Sequence, residues 1–376
     1  TYTRSRILQA HRLNMKKYTK DELAVIFLDA FEALDYNDKS VITEEYLKSG
    51  SLSEALSSDR VIKSVKEEKL KEVLNNCNKD FIDGILEKHE SYGVTIITEL
   101  SEDFPEKLKD VVYPPHALYV KGDSSLMFSE RTAAVIGSRK SLPVAKETAK
   151  RYAEELTAAG ITVVTGIAEG VEENVIKSAV KSGKIISVTA GGLDCVYPKE
   201  NAAIFEETGI NGLVISEYPL GIKPKPYFYP MRNRLIAGLA DTVVVISAGL
   251  KSGTFHTVGY ALDQGKDVFV VPYNVGVASG EGCNKMIKSG AYLTDEPQDI
   301  LTYFGIEKKD APVKEENLTQ AEERILGIVK EEGNVHIDKL SDLSDMQIFE
   351  LLPVLSMLEL KGLLIKDAGN FYSCAR

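Results

Sequence analysis

Two stretches decide the fold: Ala133-Ala134-Val135-Ile136-Gly137-Ser138-Arg139 and, one helix length later, Thr162-Val163-Val164-Thr165-Gly166. Each is a short run of small or β-branched residues that stops at glycine, the form of a buried strand. Between them, residues 143–159 have the length of a helix, and Gly160 closes it. The rhythm then repeats. Helix 171–182 ends at Gly183 before strand Ile185–Thr189, helix 200–207 precedes strand Leu213–Ser216, and helix 231–239 precedes strand Thr242–Ser247. Helix 254–264 leads to strand Asp267–Val271, and helix 282–289 to a last short strand at Tyr292-Leu293. This alternation predicts an α/β fold: an extended Rossmann-like, doubly wound, mostly parallel sheet with helices on both faces. Ligands of such a sheet lie beyond the carboxyl ends of its strands.

The flanks read differently. Leu23, Ile26, Phe27, Ala30, Phe31 and Leu34 recur at helical spacing, as do Leu70, Val73, Leu74, Phe81, Ile82, Ile85 and Leu86. They predict a small helical, SAM-like domain over residues 15–92. Strands at Val94–Thr98 and Ala117–Val120 open the Rossmann-like domain, residues 93–304, with Tyr113-Pro114-Pro115 as an extended connector. Residues 305–318 are charged and read as a linker. In residues 319–376, Thr319 and Glu322 form a capping box for a first helix. A short helix near 337–341, a longer one over 345–361 and a hairpin from Gly362 to Tyr372 follow, the order of a winged-helix domain. Pro353 should bend or reset the longer helix. That helix is apolar and acidic, so the domain is expected to contact protein rather than the DNA major groove. Residues 1–14 read as an appended segment ahead of Met15-Lys16-Lys17, a natural start.

The 376 residues carry a formal net charge of −11, yet residues 131–302 hold as many basic as acidic residues. The negative excess lies in the flanks, so an anion site in the middle segment must rest on a local patch. No apolar run approaches the roughly 18 residues of a membrane span. The four cysteines, Cys77, Cys195, Cys283 and Cys374, are far apart, and the five histidines are isolated. Neither a disulfide framework, nor a metal, nor a cofactor site is expected, and a reducing cytoplasm fits.

Against that charge, Pro230-Met231-Arg232-Asn233-Arg234-Leu235-Ile236-Ala237-Gly238-Leu239 places two guanidiniums ahead of an apolar run. Glu217 could fix one while the other meets an anionic ligand. Three glycine-bearing turns fall at strand ends. Gly137-Ser138-Arg139-Lys140 opens a helix, where free N–H groups and Arg139 can grip a phosphate. Gly166 and Gly170 bracket a turn without full dinucleotide-binding spacing, with Glu169 inside it. Lys251-Ser252-Gly253-Thr254 can form an anion-binding nest, and Phe255 could stack a base or be buried. Lys199, in Gly191-Gly-Leu-Asp-Cys-Val-Tyr-Pro198-Lys199, and Asn284, in Gly282-Cys-Asn-Lys285, complete the candidate face. His256 has no acid or nucleophile partner in sequence, and no residue is assigned a catalytic role.

At these residues the chain resembles the DprA/Smf family, the DNA-processing proteins of natural transformation. The resemblance runs from about 95 to 302. It rests on Asp103-Phe-Pro105, Pro114-Pro-His-Ala-Leu-Tyr-Val-Lys-Gly122, Gly137-Ser-Arg139, Val164-Thr-Gly166 and Gly191-Gly-Leu-Asp-Cys-Val-Tyr-Pro198. It continues through Ser216-Glu-Tyr-Pro219, Pro230-Met-Arg-Asn-Arg-Leu-Ile-Ala-Gly238, Lys251-Ser-Gly-Thr254, Val268-Phe-Val-Val-Pro272 and Gly282-Cys-Asn-Lys-Met-Ile-Lys-Ser-Gly290. It implies single-stranded DNA binding, a homodimer and loading of RecA onto incoming strands. Arg139, Arg232, Arg234 and the glycine turns would then hold backbone phosphates, and apolar residues near 235–260 and 285–293 would supply the dimer face. The chain departs from the family pattern at Glu169, Asn174, Ile176 and Tyr273. Two other readings stay open: a sensor of a free nucleotide, and a nucleotide phosphoribohydrolase. For the latter, Thr257, Gly259 and Asp263 supply no glutamate on helix 254–264.

Overall fold

The computed structural model describes residues 18–307, 318–367 and 369–374. The segment 1–14 and most of the linker 305–318 lie outside the described residues. The chain divides into two compact units, residues 1–307 and 308–376.

Among the described residues, the first unit opens with six helices: α1 (Lys20–Asp29), α2 (Tyr36–Ser49), α3 (Leu52–Leu56), α4 (Asp59–Ser64), α5 (Glu67–Asn75) and α6 (Lys79–Ser91). Capping boxes start α1, from Thr19 with Glu22, and α2, from Asp35 with Asp38. Phe27, Phe31 and Phe81 pack into their shared core, where Phe31 and Phe81 stack at 5.5 Å.

A nine-stranded sheet follows, made of β1 (Thr95–Thr98), β2 (Ala117–Gly122), β3 (Thr132–Gly137), β4 (Thr162–Gly166), β5 (Ile185–Val188), β6 (Leu213–Ser216), β7 (Thr242–Ser247), β8 (Val268–Val270) and β9 (Tyr292–Leu293). Their order is β1-β2-β6-β5-β4-β3-β7-β8-β9. β1 and β2 run antiparallel at one edge, and every pairing from β6 to β9 is parallel. The mostly parallel sheet read from the alternation is therefore present. Helices α7 (Pro143–Ala158), α8 (Val171–Ala179), α9 (Ala202–Asn211), α10 (Phe228–Leu239), α11 (Thr254–Asp263) and α12 (Glu281–Lys288) connect the strands, and α13 (Gln298–Tyr303) follows the last of them. The sheet is doubly covered. Val164, Val243 and Val245 pack with Leu235 and Ile236 of α10 on one face, while Val163 and Val244 pack with Ala149 and Tyr152 of α7 on the other. Strand order reverses between β3 and β7: the chain winds outward through β4, β5 and β6, then returns to pair β7 with β3. A crevice beyond the carboxyl ends of β3 and β7 follows from that reversal.

The helical module is tied to the antiparallel edge. Ile26 of α1 joins Ile96, Tyr119 and Phe205 in one core cluster. Asp29 accepts from Tyr119 Oη at 2.7 Å and from Lys39 Nζ at 2.8 Å. His89 of α6 is sealed in this junction. Leu220 N–H donates to its Nε2 at 3.1 Å, which leaves Nδ1–H to donate to the Ile85 carbonyl at 2.7 Å. Those bonds fix a neutral ring, and burial lowers its pKa.

The second unit holds α14 (Gln320–Glu332), β10 (Val335–His336), α15 (Ile337–Ser344), α16 (Ile348–Leu360), β11 (Leu364–Asp367) and β12 (Phe371–Cys374). Its sheet order is β10-β12-β11, the winged-helix arrangement expected from the sequence. Thr319 and Glu322 form the predicted capping box. Of the bend or reset expected at Pro353, the reset does not occur, because α16 runs through it. Proline removes one backbone donor, and burial of Leu351, Leu355 and Leu358 on the same helix offsets that loss.

The two junction histidines should titrate in opposite directions. His89 gives a stabilising contribution that is complete above about pH 6.5 and fades as pH falls through its lowered folded value. Burial also works against charge on His116, but Glu99 Oε1, 2.6 Å from its Nδ1, together with Asp29 and the Tyr36 carbonyl, outweighs it and raises the pKa. Its contribution is complete below about pH 6.5 and fades as pH rises through the folded value. Imidazole 15N NMR should show His116 protonated at a pH where His89 is still neutral. The reverse order would refute this reading of the junction.

Candidate anion cleft at the strand ends

The crevice is real. A cleft of about 580 Å3 opens between the loop after β3 and the loop after β7. Ile136 to Lys140 form one wall and Gly249, Lys251, Ser252, Gly253 and Thr254 the other, while Tyr229, Pro230, Arg232 and Asn233 of α10 close a third side. Of the residues singled out in the sequence, the structure brings Gly137, Ser138, Arg139, Lys140, Arg232, Asn233, Lys251, Ser252, Gly253 and Thr254 to one place.

Glycine is required where backbones meet. The turn after β3 lies against the turn after β4, where Val171 N–H donates to the Ser138 carbonyl at 3.4 Å, and against the end of β7, where Ser138 N–H donates to the Ser247 carbonyl at 2.9 Å. Gly170, at φ +82°, leaves no room for a Cβ because the Arg139 carbonyl occupies that position. A Cβ on Gly166 would strike the guanidinium of Arg232 and the carboxylate of Glu172. Gly166 and Gly170 thus shape the cleft without lining it.

Arg232 is the electrostatic centre. Its side chain is 4% exposed. Nη1 donates to the carbonyl of Val188 at the end of β5, and Nη2 lies 3.8 Å from Glu172 Oε2. Neither Arg232 Nε nor Glu172 Oε2 has a hydrogen-bond partner among the described residues. Burial pulls the Arg232 pKa down, and Glu172 only partly restores it. A guanidinium so desolvated and so loosely paired gains from an anion in the cleft. Arg139, Lys140 and Lys251 line the same space, so four fixed cations face one carboxylate. At the helix start behind the nest, Gly253 carries no side chain to cap α11, and Ser252 Oγ pairs with Thr254 Oγ1 at 2.8 Å.

Besides Gly166 and Gly170, four candidates lie outside this lining. Arg234 is 1% exposed and turned the other way, tied by an ion pair to Glu217 and by a 3.3 Å bond to the Met231 carbonyl. Residues 232 and 234 sit about 200° apart around a helix, so they cannot share a face. Glu217 therefore fixes Arg234 and leaves Arg232 to the cleft. Phe255 is half-buried, packed against the core cluster, and does not line the cleft. Asn284 accepts from the Tyr273 N–H at 3.0 Å and donates to the Tyr273 carbonyl at 2.8 Å, so it braces a loop. Lys199 is exposed on a single 3-10 turn outside the cleft.

Some lining residues escaped the sequence reading of the site, Tyr229 and Glu172 among them. Tyr229 lies under Arg139, whose Cζ is 4.8 Å from the ring centroid. Glu172 supplies the cleft's carboxylate, whereas Glu169 is exposed and absent from the lining. His256 faces the cleft from α11. Tyr273 is accommodated locally: its ring fills the space that a side chain on Gly280 would need, and its hydroxyl donates to the Ile246 carbonyl at 2.9 Å. Among the described residues no cluster of His, Cys, Asp and Glu could hold a metal ion, and no helix is long and apolar enough to cross a membrane.

Comparison with known proteins adds the following. Residues 95–305 match the family described as DNA recombination-mediator protein A, and residues 309–370 match the DprA winged helix domain. DNA processing protein DprA of Bacillus subtilis is 32% identical over 58% of this chain and 73% of its own length. The X-ray structure of DNA processing protein A from Streptococcus pneumoniae superposes with a TM-score of 0.65 at 26% identity, covering 76% of this chain and 98% of that one. DNA processing protein A from Helicobacter pylori, a structure described for its single-stranded DNA binding mode, gives a TM-score of 0.51 at 30% identity. It covers 56% of this chain and 95% of that one.

The packing around Arg232 predicts the effect of Gly166→Ala. The added methyl must displace the guanidinium or Glu172, at an overpacking cost of about 1–3 kcal/mol. Thermal unfolding should show a clear drop in midpoint, whereas Gly253→Ala, with open space at its Cβ position, should change it little. Equal midpoints for the two variants would contradict this geometry.

Proposed function

The chain belongs to the DprA/Smf family, and from that premise we propose that it binds single-stranded DNA without sequence preference, as a homodimer, and loads a RecA-type recombinase onto the strand in the cytoplasm. The observation that carries the reading is the cleft around Arg232: a buried, loosely paired guanidinium flanked by Arg139, Lys140 and Lys251. Such a groove suits a chain of phosphodiesters. Arg232 offers a fixed charge at the floor, Arg139 and Lys251 reach from opposite walls, and the nest at Ser252–Thr254 offers backbone donors. None of these groups is arranged to read a base edge, so binding should be tolerant of sequence and sensitive to salt.

The role is that of a binder and not of a catalyst. His256 faces the cleft, but it hydrogen-bonds to no carboxylate among the described residues, and Glu172 is engaged with Arg232. The reading is also consistent with the charge distribution. The acidic flanks repel nucleic acid and leave the strand-end cleft as the favourable place for it.

The double variant Arg139→Ala/Arg232→Ala should weaken binding of an oligo-dT strand steeply. Each lost phosphate contact should reduce the slope of log K against log salt by roughly 0.7. Arg234→Ala should act differently. It strands Glu217 and should cost about 3 kcal/mol of stability, with the salt slope of the remaining folded protein unchanged. Fluorescence anisotropy at several salt concentrations, with thermal unfolding of each variant, checks both. An unchanged slope in the double variant would place the strand elsewhere.

A further inference from the structure

A second cleft, of about 350 Å3, lies on the far side of α10 from the first. Met231 and Arg234 line it, where Arg232 and Asn233 line the other. Its opposite wall comes from the end of α1 and the start of α2, so it exists only because the helical module is docked on the α/β unit. The reading of the anion cleft assigns it nothing.

Its chemistry is the inverse of the first cleft. Aromatic rings dominate the walls. Tyr36 stacks on His116 at 4.9 Å and meets Tyr113 edge-on at 5.1 Å. Across the space, Tyr218 stacks on Phe228 at 4.0 Å, and Tyr227 meets Phe228 edge-on at 4.7 Å. Four carboxylates, Asp29, Glu32, Asp35 and Glu217, share the lining with Lys39, Arg234 and His116, the last bonded to Glu99. Asp29 is saturated by Lys39 and Tyr119, and Asp35 caps α2. Glu217 gives Oε1 to Arg234, while its Oε2 accepts no hydrogen bond among the described residues. At the base, Arg234 is 99% buried, and its Nε has no hydrogen-bond partner among the described residues. The chain already shows what this wall attracts. Lys225 lays its ammonium 5.6 Å from the Phe228 centroid and 6.0 Å from that of Tyr227, and it forms an ion pair with Glu32.

We propose that this aromatic and acidic cleft is a binding site for an organic cation of the guanidinium or alkylammonium class, held over Tyr227 and Phe228 and against Glu217, with Lys225 as a resident competitor. Ring faces carry negative quadrupole potential, and desolvated rings beside a carboxylate bind such cations better than water does. The volume suits a small ligand. A phosphate-bearing ligand is disfavoured by the carboxylates, so the two sides of α10 select opposite charges.

The test uses the full chain titrated with butylguanidinium by saturation-transfer NMR and calorimetry, with butylurea as its uncharged isostere. Saturable binding of butylguanidinium and much weaker binding of butylurea are expected. Tyr227→Ala, at an exposed ring, should weaken binding about fivefold, and Lys225→Ala should tighten it several-fold by vacating the rings and freeing Glu32. Tightening by removal of a surface lysine is a result that general loss of structure would not give. An acetyl-Gly-Arg-Gly-amide peptide that binds more tightly than butylguanidinium would identify the natural source as a protein side chain; equal or weaker binding would identify a free small organic cation. Oligo-dT should leave each titration unchanged. No saturable binding at millimolar concentration, equal binding of butylurea, or indifference to both variants would overturn the proposal.

Discussion

A guanidinium buried under the strand ends, with too little negative charge around it, is the constraint on which the rest of this structure turns. Arg232 donates to the Val188 carbonyl and leans on Glu172 at a distance of 3.8 Å. A complete salt bridge there would have made the cleft self-sufficient. Instead Nε is left without a hydrogen-bond partner among the described residues, and burial makes the charge costly, a cost that an anion would offset. Everything nearby serves that placement. Gly166 gives up its side chain so that the guanidinium fits, Gly170 lets two turns close on each other, and the reversal of strand order between β3 and β7 opens the space above.

Helix α10 organises both sides of the molecule through one short stretch. Arg232 points to the cation-rich cleft, and Arg234, two residues on, points to the acid-rich one and is neutralised by Glu217. The same two residues could not have been placed on one face without breaking the helix. The protein thereby separates two electrostatic environments by the thickness of a helix. The acidic helical module, docked through Ile26, Asp29 and His89, completes the second environment without entering the first.

Much of this was legible in the chain. The β-branched runs ending at glycine gave the parallel strands, since a sheet buried on both faces leaves its strands few other compositions. Helix α10 begins earlier than read, at Phe228, because Pro230 falls in its first turn, where a proline is tolerated. The glycine turns pointed to the cleft, but the division of labour between Arg232 and Arg234 did not show, because both precede the same apolar run and only helical phase tells them apart. Phe255 and Asn284 sat in suggestive motifs, yet the core and the Tyr273 loop claimed their side chains. Tyr229 and Glu172 had a weak signal, one beside Pro230 and the other in the first turn after Gly170. Pro353 was overridden by packing, the usual fate of a local preference opposed by a buried face.

The most direct test of the account is side-chain 15N NMR of the arginines during titration with a short oligo-dT strand. The Arg232 Nε resonance should shift and gain protection as a phosphate supplies its missing partner, while that of Arg234 should stay in place. A shift at Arg234 with none at Arg232 would contradict the account at its centre.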